Sequence, residues 1–304
     1  MVEPLVSVVC ITYNHGPYIR QCLDGFMMQK TNFAFEVLIH DDASTDKTAD
    51  IIREYEEKYP NIIKPIYQTE NQYSKGVKIG LTYLYPNAKG KYIAECEGDD
   101  YWTDPLKLQS QVDFLESHND YSMCFHRAKL ISMISHSKKL MCSEIEDREY
   151  DSTELFKTWT VPTASILFRK ECLNYELHRE DDILNGDIKL ILLCCSKGKV
   201  RGMSREMSVY RIHNGGVSYD VRMQDSRCMR YPNHYRAIKK NFKDIDRTVI
   251  NEYLARSYIN RANIQRNPLY KMHDYLYAII YMPKVYLIYS MLRKVNKIIN
   301  SLMK

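Results

Sequence analysis

Three carboxylates in four positions are what most constrain the folding of this chain. The stretch Cys96-Glu97-Gly98-Asp99-Asp100-Tyr101-Trp102 directly follows an apolar, strand-like approach, Lys91-Tyr92-Ile93-Ala94. Like charges this close repel and raise one another's pKa. A fold can leave such a turn in water as an acidic surface loop. Alternatively it can hold a divalent metal there through oxygen ligands, with water or substrate phosphates in the remaining positions.

A second acidic turn lies upstream. Phe35-Glu36-Val37-Leu38-Ile39-His40 reads as a buried strand and ends in Asp41-Asp42-Ala43-Ser44-Thr45-Asp46, ahead of a helical pattern from Thr48 to Tyr59. The first strand, Leu5 to Ile11, empties in the same way into Thr12-Tyr13-Asn14-His15-Gly16 before a helix beginning near Tyr18. Three strands thus deliver polar groups at their carboxyl ends, where open α/β sheets bind ligands.

These pieces, in this order and spacing, resemble the family 2 glycosyltransferases with the GT-A fold. The matching residues are Val6 to Asn14, the turn Asp41 to Asp46, and Gly90-Lys91-Tyr92-Ile93 leading into Glu97-Gly98-Asp99-Asp100. The match continues through Trp102, Asp104-Pro105, Lys107-Leu108 and Gln111. It is dense over roughly the first 115 residues and thinner to about residue 218. Two departures stand out: Ile11 occupies a position where the family often has Pro, and Glu97 one where it often has Asp. The metal motif therefore reads Glu-x-Asp. Direct metal contact is expected from Asp99 or Asp100, with the longer Glu97 behind it or toward the ribose.

The fold expected is α/β, a Rossmann-like, mostly parallel sheet flanked by helices, with a helical C-terminal extension. Residues 1–105 alternate strands and helices, the rhythm of βαβ units, and form the nucleotide-sugar half. Residues 106–220 form the acceptor half. They open with a helix that has Pro105 in its first turn and Leu108, Val112 and Leu115 on one face, followed by shorter strands near Ser122 to Phe125 and Ser165 to Arg169. Residues 221–304 are basic and helical. A chain of 304 residues with 45% hydrophobic composition can bury one large core or two modest ones.

The resemblance implies a nucleoside diphosphate sugar donor, a UDP-sugar, with Mn2+ or Mg2+ as cofactor. The acceptor would be a hydroxyl of a glycan or lipid-linked glycan in cell-envelope polysaccharide assembly. Thr12 and Tyr13 would approach the base, Asp42 and Asp41 the uracil imide or ribose, Asp99 the nucleotide through the metal, and Lys75 the base or phosphate. Lys75 also reads as an ordinary solvated loop lysine. Asp187, in Asn185-Gly186-Asp187-Ile188, has the composition of a helix cap. The family places its general base at a matching Asp, with Asp181-Asp182 as the rival pair. An inverting displacement follows from that assignment. Tyr210-Arg211-Ile212-His213-Asn214-Gly215-Gly216 resembles the segment that closes the family's catalytic domain. Arg211 and His213 project to one side of an extended chain, as a lid or a grip on the donor phosphates.

Charge collects at the C-terminus, where residues 233–304 hold 14 Lys and Arg against four Asp and Glu. Val285, Ile288, Tyr289, Leu292, Val295, Ile299 and Leu302 follow helical spacing among Arg293, Lys294, Lys297 and Lys304. The apolar run Leu276 to Leu292 contains Pro283 and Lys284 and falls short of the about 20 residues a spanning helix needs. Two placements remain open: a helix lying on an anionic membrane surface, or one packed on the rest of the protein. Nucleic-acid reading motifs are missing. The nine cysteines are scattered without a C-x-x-C pair, and the N-terminus lacks the regions of a signal peptide. The expected location is the cytoplasm, with peripheral attachment at the inner face of the membrane. Two other classes stay in view. A sugar nucleotidyltransferase needs a Gly-rich, basic loop where Thr12 to Gly16 stands. A non-catalytic carbohydrate-binding or scaffolding protein would keep the fold and lose the acids.

Overall fold

The run Val6–Thr12 forms β1, nearly all of it buried, as a central parallel strand covered on both faces must be. It lies between β2 (Phe35–Asp41) and β4 (Tyr92–Glu95), and β3 (Ile63–Tyr67) flanks β2; all three pairings are parallel. The register sets Thr12 opposite Asp41, so the two polar turns leave the sheet side by side. Helix α1 (Ile19–Met27) buries Ile19, Cys22, Leu23 and Phe26, and α2 (Thr48–Lys58) buries Ile51, Ile52 and Tyr55. Spacings of three and four give each helix one apolar stripe.

The computed structural model describes residues 3–133, 144–158, 161–178, 182–215, 224–282 and 285–302. Among these, nine strands make one sheet, and the unbroken run of parallel pairings that starts at β3 ends at β4. Strand β8 (Leu167–Arg169) pairs antiparallel with β4 and with β6 (Tyr121–Ser132), and β6 runs parallel to β9 (Lys199–Ile212). Strands β5 (Tyr101–Trp102) and β7 (Glu149–Tyr150) pair antiparallel with β9. The sheet is therefore mixed, parallel through β3-β2-β1-β4 and again between β6 and β9, with antiparallel pairings elsewhere. The short link from β4 to β5 holds no helix, and a parallel crossover needs a dozen or more residues.

Helix α3 (Lys107–Ser117) follows, with Leu108, Val112 and Leu115 buried as the spacing predicts. Trp102 anchors the acidic loop into the core. Its indole N–H donates to Ala164 O at 2.8 Å, its ring meets Phe26 edge-on, and the Lys107 ammonium sits 4.1 Å from its centroid. Lys107 donates to Gln111 Oε1 at 2.7 Å, and Gln111 in turn donates to Ser165 O at 2.9 Å. Short helices α4 (Ser152–Lys157) and α5 (Tyr175–His178) precede α6 (Gly186–Cys195).

The chain divides into two compact units, Met1–His178 with Leu190–Asn214, and Arg179–Lys189 with Gly215–Lys304. The sheet belongs to the first. In the second, α7 (Gln224–Asn241), α8 (Arg247–Ile264), α9 (Pro268–Tyr281) and α10 (Val285–Leu302) pack in sequence. Asp246 caps α8, and Asn267 followed by Pro268 opens α9. Arg261 of α8 grips Asp274 of α9 through two bonds, of 2.9 and 2.6 Å. Among the described residues no helix is long and apolar enough to cross a membrane.

Candidate active site

Asp99 is the centre of a cluster drawn from the turn after β1, the residue before α1 and the residue after β9. His213 Nε2 lies 3.0 Å from Asp99 Oδ2, and His15 Nε2 lies 3.7 Å from the same oxygen. The Tyr18 ring stands beside His213, with 4.7 Å between centroids. Burial alone pushes the Asp99 carboxyl upward, but the His213 hydrogen bond and the two imidazoles outweigh it and hold the pKa below its ordinary value. Burial lowers the His15 pKa even against the pull of Asp99. The other Asp99 oxygen, Oδ1, is buried without a hydrogen-bond partner.

Asp100 faces differently. Its Oδ1 accepts the Arg211 backbone N–H at 2.8 Å, which ties the acidic loop to β9. Burial first, and the charge of Asp99 second, push its carboxyl well above the usual range. The Arg211 guanidinium donates to Asp99 O and Gln21 Oε1, between the rings of Tyr101 and Tyr18 at 4.3 and 5.3 Å. Arg211 and His213 thus both turn toward Asp99, as their alternation along an extended chain requires. The Glu97 side chain is exposed; its backbone carbonyl accepts from Asp100 N at 3.1 Å and from the Cys22 and Cys96 thiols.

The turns after β1 and β2 are laced to each other. Asn14, at φ 55°, accepts from Thr45 N at 2.8 Å and donates its own N–H to Ser44 Oγ at 2.9 Å; Gly16 N donates to Asp46 at 2.8 Å. Thr12 is buried and shares Asp41 Oδ1 with the Ser44 hydroxyl. Asp42 accepts Gln72 N at 2.7 Å and Tyr73 N at 3.0 Å, so its carboxylate shapes the loop that carries Lys75. Lys75 is exposed and paired with Glu70. Tyr13 is 44% exposed, and its large ring faces solvent at the end of β1.

Asp187 lies in the first turn of α6, and its carboxylate accepts from Ile188 N at 2.8 Å. It is counted with the helical unit, whereas the Asp99 cluster is in the sheet unit. Asp182 is exposed, and Asp181 lies outside the described residues. Sequence reasoning did not single out His15, Tyr18 or Gln21. Their signal was present: His15 directly follows Tyr13-Asn14, and Tyr18, the residue just before α1, stands three positions ahead of Gln21.

The residues around Asp99 fit a divalent cation. A buried, unpartnered carboxylate oxygen beside two imidazoles is a suitable donor set. Among the described residues no three His, Cys, Asp or Glu side chains converge as a full cage. Metals that work on nucleotides characteristically take one or two protein ligands and leave the remaining positions to phosphate and water.

The family model described as "Glycosyl transferase family 2" matches residues 7–175, more than half of the chain and all of the acidic loops. The chain belongs to glycosyl transferase family 2. Among curated relatives of this family 2 member, the uncharacterized protein Rv1520 of Mycobacterium tuberculosis is 35% identical over 212 residues, 70% of this chain and 60% of its own length. The chain thus spans less than two thirds of that relative. The Escherichia coli UDP-Glc:alpha-D-GlcNAc-diphosphoundecaprenol beta-1,3-glucosyltransferase WfaP is 34% identical over 113 residues, 37% of this chain and 41% of its own. Two solved structures share the fold. Staphylococcus aureus TarS 1-349 in complex with UDP-GlcNAc has a TM-score of 0.62 at 19% identity, covering 91% of this chain and 81% of TarS. The mannosyltransferase PcManGT of Pyrobaculum calidifontis, in complex with GDP-Man and Mn2+, has a TM-score of 0.54 at 16% identity, covering 91% and 74%. The mixed sheet with flanking helices is the GT-A fold.

Proposed function

We propose that this family 2 glycosyltransferase moves a sugar from a UDP-sugar to a hydroxyl of a glycan or lipid-linked glycan, with inversion and with a divalent metal. The observation that carries this reading is the Asp99 carboxylate, buried at the carboxyl edge of the sheet with one oxygen unpartnered and two imidazoles against the other. WfaP, whose name states a UDP-Glc donor and a diphosphoundecaprenol-linked acceptor, supports the choice of donor and acceptor class.

Asp99, with His213 beside it, would hold Mn2+ or Mg2+, and Asp100 and Glu97 add negative charge to the same loop. The bound metal would supply neutralisation of charge on the departing nucleoside diphosphate. Arg211 fixes the loop through the Asp99 carbonyl and Asp100, so that the carboxylate is set before donor arrives. Tyr13 offers a stacking face for the base. Thr12, Asp41 and Asp42 shape its pocket and order the loop that carries Lys75. Asp187 is assigned as general base on the family resemblance. It would take the proton of the acceptor hydroxyl while that oxygen bonds to the anomeric carbon and the bond to the phosphate oxygen breaks. A single displacement of this kind inverts the anomeric configuration.

The test is nucleotide release from a panel of nucleotide sugars with Mn2+, Mg2+ or chelator. Turnover of one UDP-sugar is expected, lost with chelator and in Asp99→Ala, and reduced at least 100-fold in Asp187→Asn. Retention of configuration in the product would sink the assignment of Asp187. If no donor is turned over and UDP does not bind in the presence of Mn2+, the protein is instead the fold without the chemistry.

A further inference from the structure

The segment that leads into Asp187 is fastened to α7. Leu184 N donates to His234 Nδ1 at 3.1 Å, and Ile183 is buried. Segment and helix both belong to the helical unit. Where they meet there is a cavity of about 200 Å³, lined by Asp182, Asn233, Arg236, Ala237 and Lys240. A single water needs only about 10–15 Å³ of such space. The cavity therefore admits a ligand group.

Four of the five lining residues come from one face of α7, since Asn233, Arg236, Ala237 and Lys240 follow the spacing of three and four that brings helix side chains together. Arg236 donates to Asn233 Oδ1 at 2.6 Å, which restrains its guanidinium. Among the described residues neither Arg236 nor Lys240 takes part in an ion pair. An arginine and a lysine one turn apart, both without a carboxylate, suit a phosphate: the guanidinium fork takes two oxygens and the ammonium adds a point charge. Asp182 is the one acid of the lining. A carboxylate is of no use to a bare phosphate, but it accepts hydrogen bonds from hydroxyls. The mixed lining thus fits a sugar that carries phosphate better than it fits a lone anion.

The place of the cavity in the chain decides which sugar phosphate. Asp182 and Asp187 are five residues apart, at most about 18 Å along the chain, and both are counted in the helical unit, whereas Tyr13 and Asp99 belong to the sheet unit. The cavity goes with the residue assigned to the acceptor hydroxyl, not with those assigned to the donor.

We propose that this cavity binds a glycosyl diphosphate, the head of a lipid-linked acceptor, with Arg236 and Lys240 on the diphosphate and Asp182 and Asn233 on the sugar hydroxyls. The ligand's part as acceptor rests on the transferase reading; the binding site does not.

The experiment is isothermal titration of the full chain with inorganic pyrophosphate and with α-GlcNAc diphosphate on a short alkyl chain, the head group that WfaP's name states. Donor is left out, and chelator removes the metal through which the Asp99 cluster would take a diphosphate. The glycosyl diphosphate is expected to bind at least tenfold more tightly than pyrophosphate. Arg236→Gln with Lys240→Gln is expected to weaken both at least tenfold, and Asp182→Asn to weaken the glycosyl diphosphate alone, with unchanged circular dichroism. Equal affinity of wild type and Arg236→Gln/Lys240→Gln overturns the assignment. So does equal affinity for the two probes, which would leave a simple anion site, and so does displacement of the glycosyl diphosphate by UDP-GlcNAc in chelator, which would make the cavity a nucleotide-sugar site. UDP binding with Mn2+ is expected to be the same in all these proteins. Its absence, with the titration still dependent on Arg236 and Lys240, would sink the donor reading and leave this site standing.

Discussion

At the scale of single residues, the acidic loop depends on how closely β1 approaches it. Gly98 donates its N–H to Ile11 O at 3.0 Å, and a Cβ built on it would stand 2.5 Å from Thr12 Cγ2 and 3.0 Å from both His15 Nδ1 and Ile19 Cδ1. None of these neighbours is a loose chain end that can swing away. Gly98→Ala should therefore cost about 1–3 kcal/mol and displace His15 from Asp99. A thermal melt should fall by about 3–10 °C; an unchanged melting temperature would mean that the β1 turn yields freely. The same packing explains what the sequence revealed and what it hid. Asp99, Asp100, Arg211 and His213 were legible because each sits in a motif whose local chemistry is unusual. His15, Tyr18 and Gln21 were hidden because their importance comes from contact with residues far along the chain, which no local pattern encodes.

At the scale of elements, α3 carries a cost within its first turn. Lys107 is fully buried, its ammonium received by the Gln111 side-chain carbonyl and the Trp102 face, and burial lowers its pKa to about 7. In the unfolded chain the same group titrates near 10.4. Between those values the unfolded state binds more protons, so this residue makes stability rise with pH through that window; the full penalty applies below pH 7. The slope is about 1.4 kcal/mol per pH unit. Lys107→Met keeps the volume and removes the charge. Its unfolding free energy from urea titration should exceed that of wild type at pH 7, by on the order of 3 kcal/mol, and the gap should shrink toward pH 9. Parallel midpoints from pH 7 to 9 would show that Lys107 is not the source of the slope. The apolar face of α3 could be read from Leu108, Val112 and Leu115. Burial of a lysine on that helix could not, because Lys in a first turn ordinarily points to water. The parallel half of the sheet was legible for the opposite reason: β1, β2 and β4 carry the apolar runs Val8 to Ile11, Val37 to Ile39 and Tyr92 to Ala94. Strand β8 falls inside the strand expected at Ser165 to Arg169, whereas β5 and β7 are two residues long and leave no periodic trace.

At the scale of the whole chain, the helical unit is discontinuous, since residues 179–189 belong with 215–304. The sequence pattern suggested a contiguous C-terminal region beginning near residue 221. Hydropathy gives no sign that a short upstream segment packs with it, since the link is a hydrogen bond between distant residues. Leu184 N donates to His234 Nδ1 at 3.1 Å, and His234 is buried on α7 beside Tyr231 and Tyr235. A protonated Nδ1 cannot accept that bond. Burial first, and the charge of Lys189 second, lower the His234 pKa to about 4, against about 6.5 unfolded. Its folded pKa is depressed, so its contribution is fully present above pH 6.5 and is lost as pH falls toward 4, because the unfolded state takes up the proton first. Over pH 6.5 to 5, ahead of most carboxylate titration, this amounts to about 2 kcal/mol. His234→Asn can accept the same N–H without titrating. It should flatten the acid side of the stability profile over that interval while leaving the pH 8 stability within about 1 kcal/mol. Urea titrations at pH 8, 6.5 and 5 measure both. If the variant loses as much stability by pH 5 as the wild type, His234 is a passive filler, and the upstream segment is joined to α7 by packing alone.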